Sequence, residues 1–548
     1  MRTARRPAAV AALVMLILAL LVAPATAAAP PATTLAGLDP ARATVLDLQR
    51  AMDHRRLTSA ALTALYLARI RLLNPKLHAV IETNPDALRD AAVSDVHRRR
   101  HGARSPLEGI PVLLKDNIDT ADRTRTTAGS LALAASRPAR DAFLVRRLRA
   151  AGAVILGKAN LSEWANFRSS ESSSGWSARG GQTNNPYVLD RNACGSSSGS
   201  AVAAAAYLAA VTIGTETDGS IVCPAGATDT VGFKPSLGLV SRGGVIPLSA
   251  QQDTAGPITR SVTDAAAVLS VVQGTDPADP ATAAAGPYVR RDYLRALDPD
   301  ALRGKRIGVW RGGGADQRDV APVLAAAVAT LRARGATVVD DVSLPGLDEA
   351  FANEFPALLV EFKHDINAYL AGRPGPHPGT LAGLIEFNRA HADTELRWFG
   401  QDIFEAAEAT SGDLSDPAYV AARTAATTGA QRAIDTAVTT HHLDAILAPT
   451  NGPAWVTDLD DGDDFTGFVS SSGPAAVAGY PNVTVPAGHA AGVLPLGMSF
   501  FGGRWSEPGL FALAYAFEQA TRARQSPRYR PTLDVAPAPA AAAVTGSR

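Results

Sequence analysis

Serines and glycines that could support acyl transfer are concentrated in two short segments. Residues 194–200 read Cys-Gly-Ser-Ser-Ser-Gly-Ser and precede an alanine-rich run, and residues 215–220 read Thr-Glu-Thr-Asp-Gly-Ser. A loop of this kind before a helix presents free backbone N–H groups, which can bind an anion or a developing oxyanion. We therefore expect a nucleophilic serine here rather than a solvated linker, because linkers rarely lead directly into an apolar helix.

A nucleophilic serine needs a base, and the usual partner is histidine. None of the ten histidines lies between His101 and His364. A lysine can take this role if burial lowers its pKa, because desolvation disfavours the charged ammonium. Lys115, one of six lysines, follows the apolar run 109–114 and is the candidate base. The alternative is a strand-end lysine that pairs with Asp116 or Asp119.

The elements that must position these residues follow from the hydrophobic pattern. Short apolar runs bounded by glycine, at 109–114 and 153–157, predict strands buried on both faces, and residues 141–151 between them have helical spacing. Strand, helix and strand in this order predict an α/β fold. The other predicted helices are 199–210 and 508–522, residues 42–102 are expected to be largely helical, and the other predicted strands are 211–214, 306–310, 337–340, 445–447, 482–485 and 496–501.

Composition excludes several classes of protein. The chain has 52 Lys plus Arg against 52 Asp plus Glu, and 46% of its 548 residues are hydrophobic, which is typical of a globular protein. Because there is no basic excess, we expect no nucleic-acid partner.

The two ends of the chain are predicted to lie outside the folded domain. Arginines, then the apolar run 8–22, and then Ala-Thr-Ala at 25–27 predict a signal peptide over residues 1–27. No later apolar stretch approaches a membrane span, so we expect a secreted or extracytoplasmic protein without a membrane partner after signal cleavage. Residues 28–41 are predicted to be a flexible segment, and residues 531–548 a disordered Pro/Ala-rich tail.

Cysteine, glycine and aspartate patterns give little evidence for a cofactor. Cys194 and Cys223 are the only two cysteines, which excludes a scaffold built on disulfides and a four-cysteine zinc site but leaves open one bridge or two free thiols. The glycines at 312–314 lack a nucleotide-binding spacing and predict a plain turn. The five aspartates within 458–464 miss the calcium-loop pattern and predict a solvated loop near the pocket mouth. We therefore expect no metal and no organic cofactor.

Taken in order, these motifs resemble the amidase signature family. Residues 109–117 resemble the segment that carries the catalytic lysine of the family, and residues 195–200 resemble its Gly/Ser loop. Ser220 lies 24 residues after Ser196, where the family has its nucleophile. Further similar segments are 126–130, 157–160, 232–235, 253–257, 448–450 and 479–481. The resemblance implies a single α/β domain over residues 42–530, with a mixed central β-sheet surrounded by helices.

The resemblance also implies a mechanism. Ser220 would attack an amide carbonyl, and Ser196, held by a cis peptide bond, would relay the proton to neutral Lys115. A serine between the two lets the lysine lie deeper in a drier site that lowers its pKa. The oxyanion hole would consist of the backbone N–H groups of Thr217, Asp218, Gly219 and Ser220.

Two departures from the common family pattern point to one branch. Asp218 stands where glycine is usual and Glu216 where aspartate is frequent, and this turn resembles that of bacterial secreted peptide amidases, as do residues 172–177 and 180–183. Val222 and Cys223 stand where other members often have arginine, which favours a neutral carboxamide over a substrate with a carboxylate. The resemblance further implies that Ser172, Trp176 and Gln182 bind substrate.

The sequence thus predicts a monomeric serine amidohydrolase that acts on a small-molecule or peptide amide and removes ammonia from the C-terminal amide of peptides. A broader aryl or aliphatic amidase is one alternative, and an exported binding protein inactivated by Asp218 is another. A third is an α/β-hydrolase with Ser197 as nucleophile and a histidine such as His441, His442 or His489. Four aromatic residues are candidates for either the pocket or the core: Trp164, Phe167, Trp176 and Tyr187.

Overall fold

The computed structural model describes residues 37–290 and 292–533. The predicted signal peptide (1–27) lies outside the described residues, as do most of the segment 28–41 and most of the tail 531–548. None of the described helices combines the length and the apolar character needed to cross a membrane.

A large mixed β-sheet forms the centre of the molecule. Within the described ranges it contains eleven strands in the order β1-β3-β2-β6-β8-β7-β12-β13-β11-β9-β10, and β4 and β5 form a separate hairpin. Strand β2 is parallel to β3 and β6, β9 is parallel to β10 and β11, and the other neighbours are antiparallel. The strands are β1 Val80–Thr83, β2 Pro111–Lys115, β3 Val154–Ala159, β4 Trp176–Ser177, β5 Gly181–Gln182, β6 Val211–Glu216, β7 Val231–Lys234, β8 Thr254–Thr259, β9 Arg306–Val309, β10 Thr337–Val339, β11 Ala445–Pro449, β12 Asn482–Ala490 and β13 Leu494–Phe501.

Helices flank this sheet, so the predicted fold class is confirmed. They are α1 Val45–Asp53, α2 Ser59–Leu77, α3 Ala87–His101, α4 Phe143–Ala150, α5 Ser198–Ala205, α6 Val222–Ala227, α7 Val262–Val272, α8 Ala281–Ala285, α9 Ala321–Ala333, α10 Leu347–Ala371, α11 Leu381–Ala390, α12 Ala392–Glu395, α13 Asp402–Glu408, α14 Pro417–His441, α15 Gly473–Ala478 and α16 Glu507–Thr521. Short 3₁₀ turns occur at Leu131–Leu133, Glu163–Asn166, Gly286–Tyr288 and Tyr293–Ala296.

The predicted helix over 199–210 is too long. Helix α5 ends at Ala205, and Tyr207 adopts a left-handed backbone conformation with φ of 57°. Arg69 donates hydrogen bonds to the carbonyl oxygens of Ala206 (3.0 Å) and Tyr207 (2.8 Å), which satisfies acceptors that a longer helix would have used. The chain can therefore turn in time to enter β6 at Val211.

The topology brings the chemical motifs to one edge of the sheet. Strands β2 and β6 are parallel neighbours, so their carboxyl ends, Lys115 and Glu216, lie on the same side. Helix α5 begins at Ser198, directly after the Gly/Ser loop, and packs on β6. Strand β8 runs antiparallel to β6 and begins at Thr254, opposite Glu216. This edge therefore collects residues that are far apart in the sequence.

Helix α10 forms a wall above this edge and is held in place by α14. The Nε and Nη2 atoms of Arg423 on α14 each donate a 2.6 Å hydrogen bond to the carboxylate of Glu361 on α10. Both side chains are buried, and the hydroxyl of Tyr419 donates to the same carboxylate at 2.8 Å. Two hydrogen bonds in a planar fork fix an angle as well as a distance, so this pair orients α10.

Candidate active site

Lys115 is buried in contact with Ser196, as the sequence predicted for a base and its relay. The lysine is fully buried at the end of β2, and its Nζ atom lies 2.7 Å from Ser196 Oγ. Nζ also donates to Thr215 Oγ1 at 3.0 Å and to the carbonyl oxygen of Thr215 at 3.2 Å. A neutral amine in this position can accept the hydroxyl proton of Ser196.

The electrostatic surroundings of Lys115 favour its neutral form. Burial lowers the pKa of Lys115 to about 7, although the negative charges of Asp253 and Glu216 act in the opposite direction. Among the described residues, no carboxylate oxygen lies within 4.0 Å of Nζ. The alternative of a lysine paired with Asp116 or Asp119 is therefore excluded.

The loop that carries Ser196 adopts an uncommon backbone. The peptide bond between Gly195 and Ser196 is cis, as the resemblance implied. The carbonyl oxygen of Ser196 accepts a 3.0 Å hydrogen bond from Ser162 N. A side chain at Gly195 would begin 2.2 Å from Ser162 Oγ, so only glycine fits there.

Ser220 lies on the turn between β6 and α6, beside the Gly/Ser loop. Its carbonyl oxygen accepts a 3.1 Å hydrogen bond from Ser197 N, which connects the two segments. Glu216 Oε2 accepts hydrogen bonds from the backbone N–H groups of Ile221 (2.7 Å) and Val222 (3.0 Å), the residues that follow Ser220. Glu216, seen in the sequence only as a departure from the family pattern, therefore fixes the turn.

Replacing Glu216 by alanine should lower the free energy of unfolding by about 2 to 4 kcal/mol, because two buried N–H groups lose their acceptor. Equilibrium unfolding in urea measures this loss. Glu216→Gln is the matched control, since the amide oxygen can still accept, and it should lose clearly less. Equal losses in both variants would mean that the carboxylate does not support the turn.

The backbone N–H groups of residues 217–220 are free to bind a ligand. In the part of the chain that the structure describes, none of these four groups donates a hydrogen bond to a protein acceptor. The turn is held from outside: Thr217 Oγ1 donates to Asp253 Oδ1 at 2.6 Å, and Gln252 Nε2 donates to the carbonyl oxygen of Thr217 at 3.1 Å. Such preoriented donors suit an oxyanion.

Asp218, the residue that raised the possibility of an inactive protein, is turned towards Ser472. The hydroxyl of Ser472 and the charge of Lys234 lower the pKa of Asp218, but burial among protein atoms has the larger effect and raises it. A carboxyl group whose pKa is raised repels an oxyanion less than one with an ordinary pKa would.

Ser220 opens onto a cavity of about 720 Å³. Residues 217–220, Cys194 and Gly195 form one side, and helix α10 forms another through Leu347, Asp348, Phe351, Glu354 and Leu358. Burial, and secondly the charge of Asp218, raise the pKa of Glu354 to about 8. The described residues that line the cavity include no lysine, arginine or histidine. The remaining wall is largely aromatic: Phe167, Trp310, Trp455, Phe465 and Phe468.

The three side chains predicted to bind substrate do not line this cavity. Ser172 Oγ donates to the carbonyl oxygen of Ser169 at 2.7 Å, and Trp176 packs edge-on against Phe399 at 5.1 Å. Gln182 Nε2 donates to the carbonyl oxygen of Ser174 at 2.9 Å. Since Ser174 lines the cavity, Gln182 supports the cavity wall from behind.

The other aromatic candidates divide between pocket and core. Phe167 lines the cavity, whereas Trp164 packs against Phe404 with 5.7 Å between ring centroids. Tyr187 is buried and donates to the carbonyl oxygen of Gln525 at 2.6 Å. The glycines at 312–314 form the predicted turn, and a side chain at Gly313 would begin 2.1 Å from the carbonyl oxygen of Ser470. This close approach lets the loop before α15 complete the cavity wall.

The aspartate-rich loop lies at the cavity mouth, as predicted. Asp463 accepts hydrogen bonds from Ser174 N (3.0 Å) and Trp455 Nε1 (3.1 Å), whereas four neighbouring aspartates are exposed. Over residues 37–290 and 292–533, no group of three or more His, Cys, Asp or Glu side chains could hold a metal ion. This loop therefore anchors the wall at Ser174.

Two questions left open by the sequence are answered by the structure. Cys194 and Cys223 form a disulfide bond, with 6.0 Å between their Cα atoms. Ser197 Oγ is buried and donates to the carbonyl oxygen of Thr215 at 3.0 Å, while His489 Nε2 contacts Asp229 at 3.1 Å. Neither Ser197 nor His489 lines the cavity, which excludes the α/β-hydrolase alternative.

Comparisons with known proteins show similarity over most of the chain. The family described as Amidase matches residues 61–511. The chain is 44% identical over 497 residues to a probable amidase of Arabidopsis thaliana, covering 89% of this chain and 91% of the relative. It is 52% identical to the crystal structure of native peptide amidase from Stenotrophomonas maltophilia, with a TM-score of 0.84 over 89% of this chain and 99% of the other. A structure of the peptide amidase PAM in complex with the competitive inhibitor chymostatin is 53% identical, with a TM-score of 0.85 over 90% of this chain and all of the other.

Proposed function

The chain belongs to the amidase signature family and is an amidase, and we propose that it removes ammonia from the C-terminal amide of peptides through Ser220, Ser196 and Lys115. The observation that carries this mechanism is the contact of 2.7 Å between buried Lys115 Nζ and Ser196 Oγ, with no carboxylate close to the amine in the described part of the chain. A buried lysine in this position can act as a base in its neutral form, whereas a surface lysine remains charged at neutral pH.

The reaction begins with a proton transfer along the three side chains. Ser196 gives its hydroxyl proton to Lys115 and takes the proton of Ser220, whose Oγ attacks the carbonyl carbon of the amide. The backbone N–H groups of residues 217–220 stabilise the negative charge on the carbonyl oxygen. When this intermediate collapses, the C–N bond breaks, and the proton returns from Lys115 through Ser196 to the departing nitrogen as ammonia forms.

Water then completes the cycle. A water molecule attacks the acyl group on Ser220, and the same relay takes up one of its protons. Collapse of the second intermediate returns that proton to Ser220 Oγ and releases the carboxylic acid. Each proton that enters the relay leaves it again, so Lys115 is neutral at the start of every cycle.

Three features support a peptide amide as substrate. A cavity of about 720 Å³ is large enough for a short peptide. Its aromatic wall suits apolar side chains, and its described lining residues offer no basic side chain to bind a substrate with a negatively charged end. Two solved structures that are 52% and 53% identical to this chain are those of peptide amidases.

An extracytoplasmic location is part of the same proposal. The disulfide bond between Cys194 and Cys223 supports it, because such bonds persist in oxidising compartments and are rare in the cytosol.

A panel of amides should rank a dipeptide amide above an aryl amide by at least about tenfold in kcat/KM, since the peptide uses the cavity wall as well as the reacting carbonyl. Released ammonia or amine is measured for each compound. The matched control is the same dipeptide as the free acid, which should compete poorly because its carboxylate meets a cavity without a basic side chain. Faster hydrolysis of the aryl amide would favour the broader amidase.

A further inference from the structure

The disulfide bond and one backbone hydrogen bond enclose the two serines proposed to react. Cys194 lies two residues before Ser196, and Cys223 lies three residues after Ser220. At the opposite end, Ser197 N donates a 3.1 Å hydrogen bond to the carbonyl oxygen of Ser220. The segments 194–197 and 220–223 are thus joined at both ends, and we call this closed ring the serine frame.

We propose that the Cys194–Cys223 bridge is a positioning element of the reaction, which keeps Ser220 against Ser196 during proton transfer. This inference rests on the proposed function of the two serines. It assigns the bridge an effect on turnover in addition to any effect on the stability of the fold.

The contacts within the serine frame show why one end depends on the bridge. Cys194 N donates to Asn192 Oδ1 at 2.8 Å, and Cys223 N donates to the carbonyl oxygen of Gly219 at 2.8 Å. Each of these hydrogen bonds is made to a residue close to its donor in the sequence, so neither joins the two segments of the frame. In residues 37–290 and 292–533, no second hydrogen bond joins segment 194–197 to segment 220–223.

Without the bridge, the frame would be closed by a single backbone hydrogen bond, which contributes little net stability because water competes for both groups. The serine of the turn could then move relative to the serine of the loop. Misplacement of a reacting group by about 1 Å can lower a rate by about 100-fold. Loss of the bridge should therefore act on the chemical step.

The bridge is also within reach of a small reductant. Both cysteines line the cavity, with exposed fractions of 5% for Cys194 and 4% for Cys223. A dithiol that enters the cavity breaks the S–S bond, leaves two thiols and is itself oxidised to a cyclic disulfide. Because the chain has only two cysteines, reduction changes this bond alone.

The test compares kcat and KM for a peptide amide in the oxidised protein, the reduced protein and Cys194→Ala/Cys223→Ala. We expect kcat to fall by about 10- to 100-fold in the reduced protein and in the double variant, with a much smaller change in KM. Reoxidation should restore the wild type, and the double variant should not respond to the reductant. An unchanged kcat in reduced protein that remains folded by circular dichroism would overturn the proposal.

A second measurement does not depend on turnover. The hydrogen-exchange rate of the Ser197 amide reports whether its hydrogen bond to the carbonyl oxygen of Ser220 is still formed. Reduction of the bridge should raise this exchange rate relative to the rates of amides in the central strands, such as that of Ile213. If the oxidised protein hydrolyses no amide, the proposed function fails, and exchange at Ser197 still decides whether the bridge holds the frame. Exchange that reduction leaves unchanged would contradict the proposal in every case.

Discussion

Lys115→Ala is expected to lower kcat for a peptide amide by at least about 1,000-fold, because the relay then has no base. The hydroxyl of Ser196 would have no acceptor for its proton and could not activate Ser220. Removing one member of a cooperating set costs nearly as much as removing the whole set, so Ser220→Ala should be equally inactive. Ammonia release under saturating substrate measures both.

The loss in Lys115→Ala should not come from unfolding. Burial opposes the charged form of Lys115, so the folded protein gains little from this amine at neutral pH. Lys158 offers a matched control, since it is a second fully buried lysine on the neighbouring strand β3, where Nζ donates to Thr126 Oγ1 at 2.8 Å. Lys158→Met should keep far more of the wild-type kcat in its folded fraction. Similar kcat values for the two lysine variants would contradict the assignment of the base.

In the large sheet, the strands with continuous apolar runs could be predicted from the sequence, and three others could not. The apolar runs 109–114 and 445–447 overlap β2 and β11, because a central strand needs apolar side chains on both faces. Strands β1, β7 and β8 were missed. Strand β7 is short and contains Gly232, and β8 contains Gly256 and Pro257. Glycine and proline are uncommon inside strands, so the sequence contains no strand signal there. Their neighbours in the sheet determine these strands, and that information is not local.

The contact between Lys115 and Ser196 could be predicted from the sequence, but the walls of the cavity could not. Lys115 and Ser196 were found because ordered motifs carry them, and the structure places them in contact. The cavity wall comes from separate segments such as Trp310, Phe351 and Phe465, whose proximity depends on how α10 and the loop before α15 pack. No periodicity or spacing in the sequence reports this packing.

Burial links the fold to the chemistry. Lys115, at the end of a central strand, is dry because helix α5 and the neighbouring strands cover it, and the same burial lowers its pKa to about 7. Ser196 contacts the lysine at this dry position, whereas Ser220 has an exposed fraction of 9% and lies on the cavity wall. In the proposed mechanism, the two serines therefore let a base that is shielded from solvent act on a substrate in the cavity.

The pH dependence of kcat/KM should report the pKa of Lys115. The neutral amine is the proposed active form, so activity should be about half-maximal at pH 7, level off above about pH 8, and reach about 1% of the plateau at pH 5. Initial rates for an uncharged peptide amide between pH 5 and pH 9 measure this limb. Two carboxyl groups raise the pKa of Lys115, those of Asp253 and Glu216. The pKa of Asp253 is itself raised to about 6 by burial.

Asp253→Asn tests whether the limb belongs to Lys115. The negative charge of Asp253 raises the pKa of the lysine, so its removal should lower that pKa and move the acidic limb to lower pH. In the wild type, the backbone N–H groups of Leu248 and Ser249 donate to the carboxylate of Asp253 at 2.8 and 3.0 Å. The amide oxygen of asparagine can still accept from one of them, so the backbone of residues 248–253 should keep its conformation. A limb that stays in place or moves to higher pH would show that a group other than Lys115 controls the activity, since removing the charge of Asp253 lowers the pKa of any acid that lies close to it.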